Sequence, residues 1–129
     1  MRLTSDTFPE GGLIPATFTC DGANVSPPLA WHDVPVKAKS LALIVDDPDA
    51  PRGVFVHWLL FNIAATEKGL TQGVGAEGPR TANGRQGRNS FGKVAYGGPC
   101  PPSGTHRYQF HLYALDVSLD LEPGVSRHN

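Results

Sequence analysis

Three separated stretches hold the side chains of this sequence that could do chemistry together. The first is the turn Asp47-Pro48-Asp49-Ala50-Pro51. The second is His57, inside an apolar run. The third is Gly98-Pro99-Cys100-Pro101-Pro102-Ser103-Gly104-Thr105-His106-Arg107-Tyr108. A buried imidazole needs a partner at each ring nitrogen, and a carboxylate such as Asp47 can accept from one of them and fix the tautomer. The other nitrogen then serves a ligand. Glycine lets main-chain N–H groups approach a ligand closely, and successive amides form an anion-binding concavity without any lysine. Prolines hold such a loop in one shape, which lowers the ordering cost of binding. Asp47, His57 and His106 converging beside the Gly98 loop would make a small polar pocket suited to an anion.

Each of these residues also has a purely structural reading. Asp49 in a Pro-flanked turn is expected to cap local amides in an Asx turn. His57 alone on an apolar strand is more often a satisfied core residue than a site residue. The Gly98 loop alone is a stiff hairpin connection. The site reading gains from their combination: Asp47 emerges at a strand end, and His106 shares a face with Tyr108 two residues on. The Gly98 loop also runs directly into His106. Arg80, Arg85, Arg88 and Lys93 read as a solvated loop face. His32, His111 and His128 fall in no partner pattern and receive no function.

The elements that must position these groups are strands. Residues 40–46 alternate Leu41, Leu43 and Val45 against Ala42 and Ile44. Residues 54–63 are apolar on both faces, which predicts a central strand covered on both sides, with His57 sharing parity with Phe55, Leu59 and Phe61. Residues 106–117 predict the longest strand. Residues 18–19 and 29–31 suggest short edge strands, since prolines flank the second. The segment 77–104, dense in Gly, Asn, Arg and Pro, reads as a long irregular loop of the kind that carries function. No window over 1–120 has a persuasive helical period.

Composition sets the frame. The 129 residues are 40% hydrophobic and 18% charged, with 15 Gly and 12 Pro, a balance that favours short strands and turns. One domain, 1–129, is expected. A net charge of −1 offers no global field toward nucleic acid or anionic membranes, so any anion site must be local. Cys20 and Cys100 fit no zinc pattern; reduced thiols or a bridge between two turns remain open. The first ten residues lack the apolar core of a secretory signal, and no apolar run approaches the roughly 20 residues of a membrane span. A cytoplasmic location is the expectation.

At these residues the chain resembles the phosphatidylethanolamine-binding protein family, in its bacterial YbhB/YbcL, Raf kinase inhibitor-like branch. The matching pieces are Phe18-Thr19-Cys20-Asp21-Gly22 with Asn24, then Ser26-Pro27-Pro28-Leu29 to Trp31, then the DPDAP turn at 47–51 and His57-Trp58. Asn89-Ser90-Phe91-Gly92 and GGPCPPSGTHRY at 97–108 complete the set, in register across nearly the whole chain. The resemblance implies a mainly β fold: an antiparallel sandwich of two sheets with a few short peripheral helices. It also implies a small pocket for phosphate-like groups, phospholipid headgroups included. Carried over by position, Asp47, His57, His106 and Tyr108 match the ligand-contacting set, Gly98 and Pro99 the loop wall, and Pro51 with Trp58 the rim. Family chains continue by about one helix and a strand, so a truncated C-terminus, with an exposed edge that invites a homodimer, is a further expectation.

Three functional classes follow. A non-enzymatic binding module for a small anion, needing no cofactor or metal, fits the residues best. An inhibitor or regulator of a kinase or protease, contacting its partner through 77–104, is the alternative. An enzyme is disfavoured: Asp47 cannot readily both orient a histidine and ligate a metal in a two-His, one-carboxylate set. As a hydrolase nucleophile, Ser103 sits in a Pro-stiffened turn without a nucleophile elbow.

Overall fold

Runs of apolar residues build the two longest strands and pair them side by side in one sheet. In the computed structural model, which describes residues 2–5, 18–19, 24–47, 55–76, 81, 84–98, 109–115 and 124, the chain is mainly β. The strands are β1 (Arg2–Thr4), β2 (Leu29–His32), β3 (Ser40–Asp47), β4 (Phe55–Ala64), β5 (Gly69–Leu70), β6 (Arg85–Gln86) and β7 (Gln109–Leu115). A 3₁₀ turn covers Val74–Ala76. They form two antiparallel sheets, a three-stranded one in the order β1-β2-β5 and a four-stranded one in the order β6-β4-β3-β7. Among the described residues no helix is long and apolar enough to cross a membrane.

The core lies between the sheets. Leu29, Trp31 and Leu70 come from one side; Leu41, Leu43, Val45, Trp58, Leu60 and Ile63 come from the other, and Val74 and Tyr96 join them from the connections. Leu41, Leu43, Leu60 and Ile63 are fully buried, each contributing about 1.5–3 kcal/mol of transfer free energy relative to an exposed side chain. The predicted alternation of Leu41, Leu43 and Val45 is therefore the alternation of this inner face.

β4 is central, as its two-sided apolarity requires, but it does not alternate regularly. Its register against β3 slips once between Leu41↔Ile63 and Leu43↔Leu60, and again between Val45↔Trp58 and Asp46↔Val56. Asn62, at a φ of 55°, accommodates the first slip, in keeping with the tolerance of asparagine for left-handed backbone. His57 is the extra residue of the second. Strict alternation would group His57 with Leu59 and Phe61; the bulge breaks that grouping and sets Phe55 opposite Asp47 instead.

Other sequence expectations change at the margins. Phe18 and Thr19 form a 3₁₀ residue and a bend, not an edge strand. β2 is the middle strand of its sheet, because its prolines precede it and leave the amides of residues 29–32 free to pair. Of the predicted strand 106–117, residues 109–115 are seen as β7; 106–108 and 116–117 lie outside the described residues.

Candidate functional site

The bulge at His57 faces the segment 85–98, which runs back along β4. Gln86 pairs with Leu60, Gly87 N–H donates to the Leu59 carbonyl, and Ser90 and Val56 exchange bonds through Ser90 N–H to Val56 O and Val56 N–H to Ser90 Oγ, both 2.8 Å. Gly97 then meets His57 twice. Its N–H donates to the His57 carbonyl at 2.9 Å, and its own carbonyl accepts from His57 Nδ1 at 2.7 Å. That second bond puts the proton of the neutral ring on Nδ1 and the acceptor at Nε2.

The loop that delivers Gly97 is pinned by one buried side chain. Asn89 Oδ1 accepts from the amides of Phe91 (3.0 Å) and Lys93 (3.1 Å), and Nδ2 donates to Ala95 O at 2.7 Å. Phe91, about half exposed, lies edge-on to Phe55 at 4.8 Å and to His57 at 5.7 Å, while Phe55 and His57 are 5.0 Å apart. The imidazole thus has an aromatic wall on one side. Asp47, buried to 3% exposure, stands opposite Phe55 at the end of β3.

Burial holds the His57 imidazole below its usual 6.5. The carbonyl of Gly97, the charges of Asp47 and then Asp46, and the carbonyl of Gly98 all pull the other way without overcoming the loss of water. The consequence for stability has a definite sign. The unfolded chain takes its proton near 6.5 and the folded chain only at lower pH, so the unfolded state binds more protons between those values. His57 therefore leaves stability unaffected above about pH 6.5 and erodes it as pH falls from there to the depressed folded value. Denaturant unfolding from about pH 7.5 to 5 should show this decline, flattened in His57→Gln. An unchanged slope in the variant would place the acid sensitivity elsewhere.

The amides of Gly97 and Gly98 are used within the protein, and the loop residues 99–104 lie outside the described residues. The Gly97 N–H is used on His57 O, and the Gly98 N–H is used on Asn24 Oδ1 at 2.8 Å. Both bonds hold the loop against its neighbours. Asn24, at a φ of 58°, and Asn89 are the residues that site reasoning missed. Their signal was an Asx side chain inside a Gly- or Pro-bounded turn.

Trp58 is not at a rim. Its side chain is fully buried in the inter-sheet core, with Nε1 donating to Gln86 Oε1 at 2.6 Å and the ring edge-on to Tyr96 at 5.5 Å. Adjacency to His57 along the chain does not carry it to the same side. His111, given no function from sequence, lies 3.3 Å from Asp46 Oδ1 through Nε2 and 3.1 Å from Gln109 Oε1. Asp47, His57 and the Gly98 segment are brought together; Pro51, Pro99, His106 and Tyr108 lie outside the described residues, as do Asp49, Cys20 and Cys100.

Comparison with known proteins gives this geometry a context. The family model described as phosphatidylethanolamine-binding protein matches residues 4–129. A UPF0098 protein of Methanothermobacter thermautotrophicus is 54% identical over 129 residues, covering 100% of this chain and 85% of the relative. A crystal structure of CT736 from Chlamydia trachomatis, described as a phosphatidylethanolamine-binding protein homologue, superposes with a TM-score of 0.88 at 41% identity, over 98% of this chain and 82% of that one. YbcL of Escherichia coli superposes with a TM-score of 0.86 at 36% identity, over 97% and 82%.

Proposed function

This chain belongs to the phosphatidylethanolamine-binding protein family, and on that premise we propose that it is a binding protein for small phosphate-like anions. The pocket is assigned to Asp47, His57 and the Gly98 segment, with His106, Tyr108, Pro51 and Pro99 proposed to complete it. The observation that carries this reading is the His57 ring: buried, held in one tautomer by Gly97 O at 2.7 Å, and electrostatically coupled to Asp47. A core histidine needs only satisfied nitrogens. This one sits at a bulge, the irregularity that re-aims side chains beside functional sites. The family description names a phosphorylated headgroup, which is chemistry of the same kind. No net positive charge draws the ligand in, so affinity for a bare phosphate falls in about the micromolar to millimolar range.

Titration with inorganic phosphate, followed through the histidine side-chain NMR signals, tests the proposal. Saturable shifts of His57 are expected, and His57→Gln should weaken binding about tenfold, the loss of one hydrogen bond between the ring and the ligand. Histidine signals that stay fixed at saturating phosphate would end it.

A second reading, regulation of a kinase or protease through 77–104, draws on Phe91, an aromatic ring about half exposed in that segment. Lys93→Ala, at an exposed position of the same segment, separates the two, since partner capture by the loop would weaken while phosphate titration of His57 persists.

A further inference from the structure

We infer that the turn of residues 88–93 is a docking tip for an acidic peptide segment that carries an apolar side chain. The inference rests on the second reading above, for which it supplies the partner's chemistry, and not on the anion pocket. Between Glu77 and Asp116 the sequence holds five cations, Arg80, Arg85, Arg88, Lys93 and Arg107, and no acid, in a chain of net charge −1. Arg88 and Lys93 flank Phe91 in the chain and are exposed, and the Phe91 ring is 48% exposed. The described carboxylates do not offset this charge. Asp46 and Asp47 are buried. Asp33 and Glu67 lie in the connections at the Ser40 and Ala64 ends of β3 and β4, away from the Val56 end that holds Ser90.

The tip is built before any partner arrives. Gly92, at a φ of 84°, closes the turn with its N–H donating to Asn89 O at 3.0 Å, and Asn89 N–H donates to Lys93 O at 2.8 Å. The Asn89 side chain and the Ser90–Val56 exchange fix its base. Arg88 Nη1 donates to Gly92 O at 3.2 Å, which lays the guanidinium along the turn and leaves the rest of the exposed fork for a carboxylate. A Cβ built at Gly92 meets no described atom within 4 Å, so that flank of the turn is open. Preorganisation of this kind lowers the ordering cost of binding, and arginine beside an aromatic ring is a composition that protein interfaces favour. The ring also argues for a peptide over a bilayer. It lies on Gly97 and against Phe55 and His57, so it offers a side to a partner's side chain and does not project as a membrane wedge would. Two free cations fall short of the clusters of about four to eight that mark lipid recognition, and the net charge gives a polynucleotide no wider field.

The test follows the backbone amide NMR signals of the intact chain during titration with a blocked pentapeptide, four acidic residues around a central phenylalanine. Saturable shifts centred on residues 88–93 are expected, with a Kd on the order of a millimolar. The same peptide with serine at its centre should bind about tenfold more weakly, and a lysine version should not shift these signals. Arg88→Glu and Lys93→Glu should each weaken binding about fivefold, and higher ionic strength should weaken it in the native chain. Saturating inorganic phosphate should leave the peptide shifts in place. Their loss would mean that the peptide carboxylates occupy the anion pocket, which overturns the tip and leaves the anion reading standing. Peptide binding without phosphate binding would uphold the tip and end the anion reading. Absent shifts at 88–93, or affinity indifferent to both charge reversals, would overturn the inference. So would tighter binding of phosphatidylglycerol vesicles or of oligodeoxythymidylate than of the phenylalanine peptide, which would assign the tip to a membrane or a nucleic acid. Should a charge-reversed chain not fold, the three peptides on the native chain decide.

Discussion

Trp58→Ala should cost about 3–5 kcal/mol of unfolding free energy, the range for deleting a large buried aromatic side chain. The ring is fully buried, packs among Val45, Leu60 and Tyr96 in the inter-sheet core, and is bonded to Gln86. Gln86 is itself fully buried, and its Nε2 donates onward to Gly75 O at 3.2 Å. Gly75 N–H donates to Ser26 Oγ at 2.9 Å, and the Tyr96 hydroxyl reaches Phe18 O at 2.8 Å. Trp58 therefore ties β4 to the connections that carry the site. Trp58→Phe keeps most of the apolar volume but removes the buried bond to Gln86 Oε1, a loss of about 1–3 kcal/mol. Chemical denaturation of both variants measures these values, and phosphate titration of Trp58→Phe supplies the contrast. A rim residue would lose anion affinity with stability untouched; a core residue does the reverse. Weakened binding with an unchanged unfolding midpoint in Trp58→Phe would return this residue to the pocket.

Trp58 also shows where the sequence could be read and where it could not. β3 was legible because Leu41, Leu43 and Val45 alternate without interruption, and β4 because both of its faces are apolar. β1, β5 and β6, at two or three residues each, are too short to carry a period, and pairing with longer neighbours defines them. The proposed site residues Asp47 and His57 are legible as candidates by chemistry, as a carboxylate at a strand end and an imidazole in an apolar run. Trp58 was misassigned because a motif places residues in order and says nothing of which face each one takes. Period-2 alternation alone would have sent Trp58 away from its neighbour His57. The bulge was hidden for a different reason. His57 gives no local sign of it, since a register slip is a property of two strands and appears only when β3 lies alongside. The same limit applies to the loop amides. Glycine makes close approach possible, but only the fold decides that Asn24 and the His57 carbonyl receive these N–H groups instead of a ligand.

That distinction sets apart two adjacent glycines. A Cβ at Gly97 falls onto the Phe91 ring, with Asn89 Nδ2 at 3.3 Å. A Cβ at Gly98 falls onto the Asn24 Oδ1 that its own amide uses and onto the Phe18 carbonyl, with Thr19 Cα at 3.0 Å. The first clash is chiefly with the end of a half-exposed side chain, the second with backbone. Gly97→Ala should therefore lose about 1–3 kcal/mol of stability, as overpacking does. Phe91→Ala, costing about 1 kcal/mol alone, should restore most of that loss in the double variant. Gly98→Ala should lose a similar amount and weaken phosphate binding about tenfold or more, because the wall beside His57 must move; Phe91→Ala should rescue neither. A double-mutant cycle on unfolding free energies, run beside phosphate titrations, reads both couplings. Equal rescue at the two positions would mean that loop 89–98 yields as one flexible unit. The bonds of Asn89 and of Gly97 to His57 argue against that, because they hold the loop at both ends and leave Phe91 as the part free to give way.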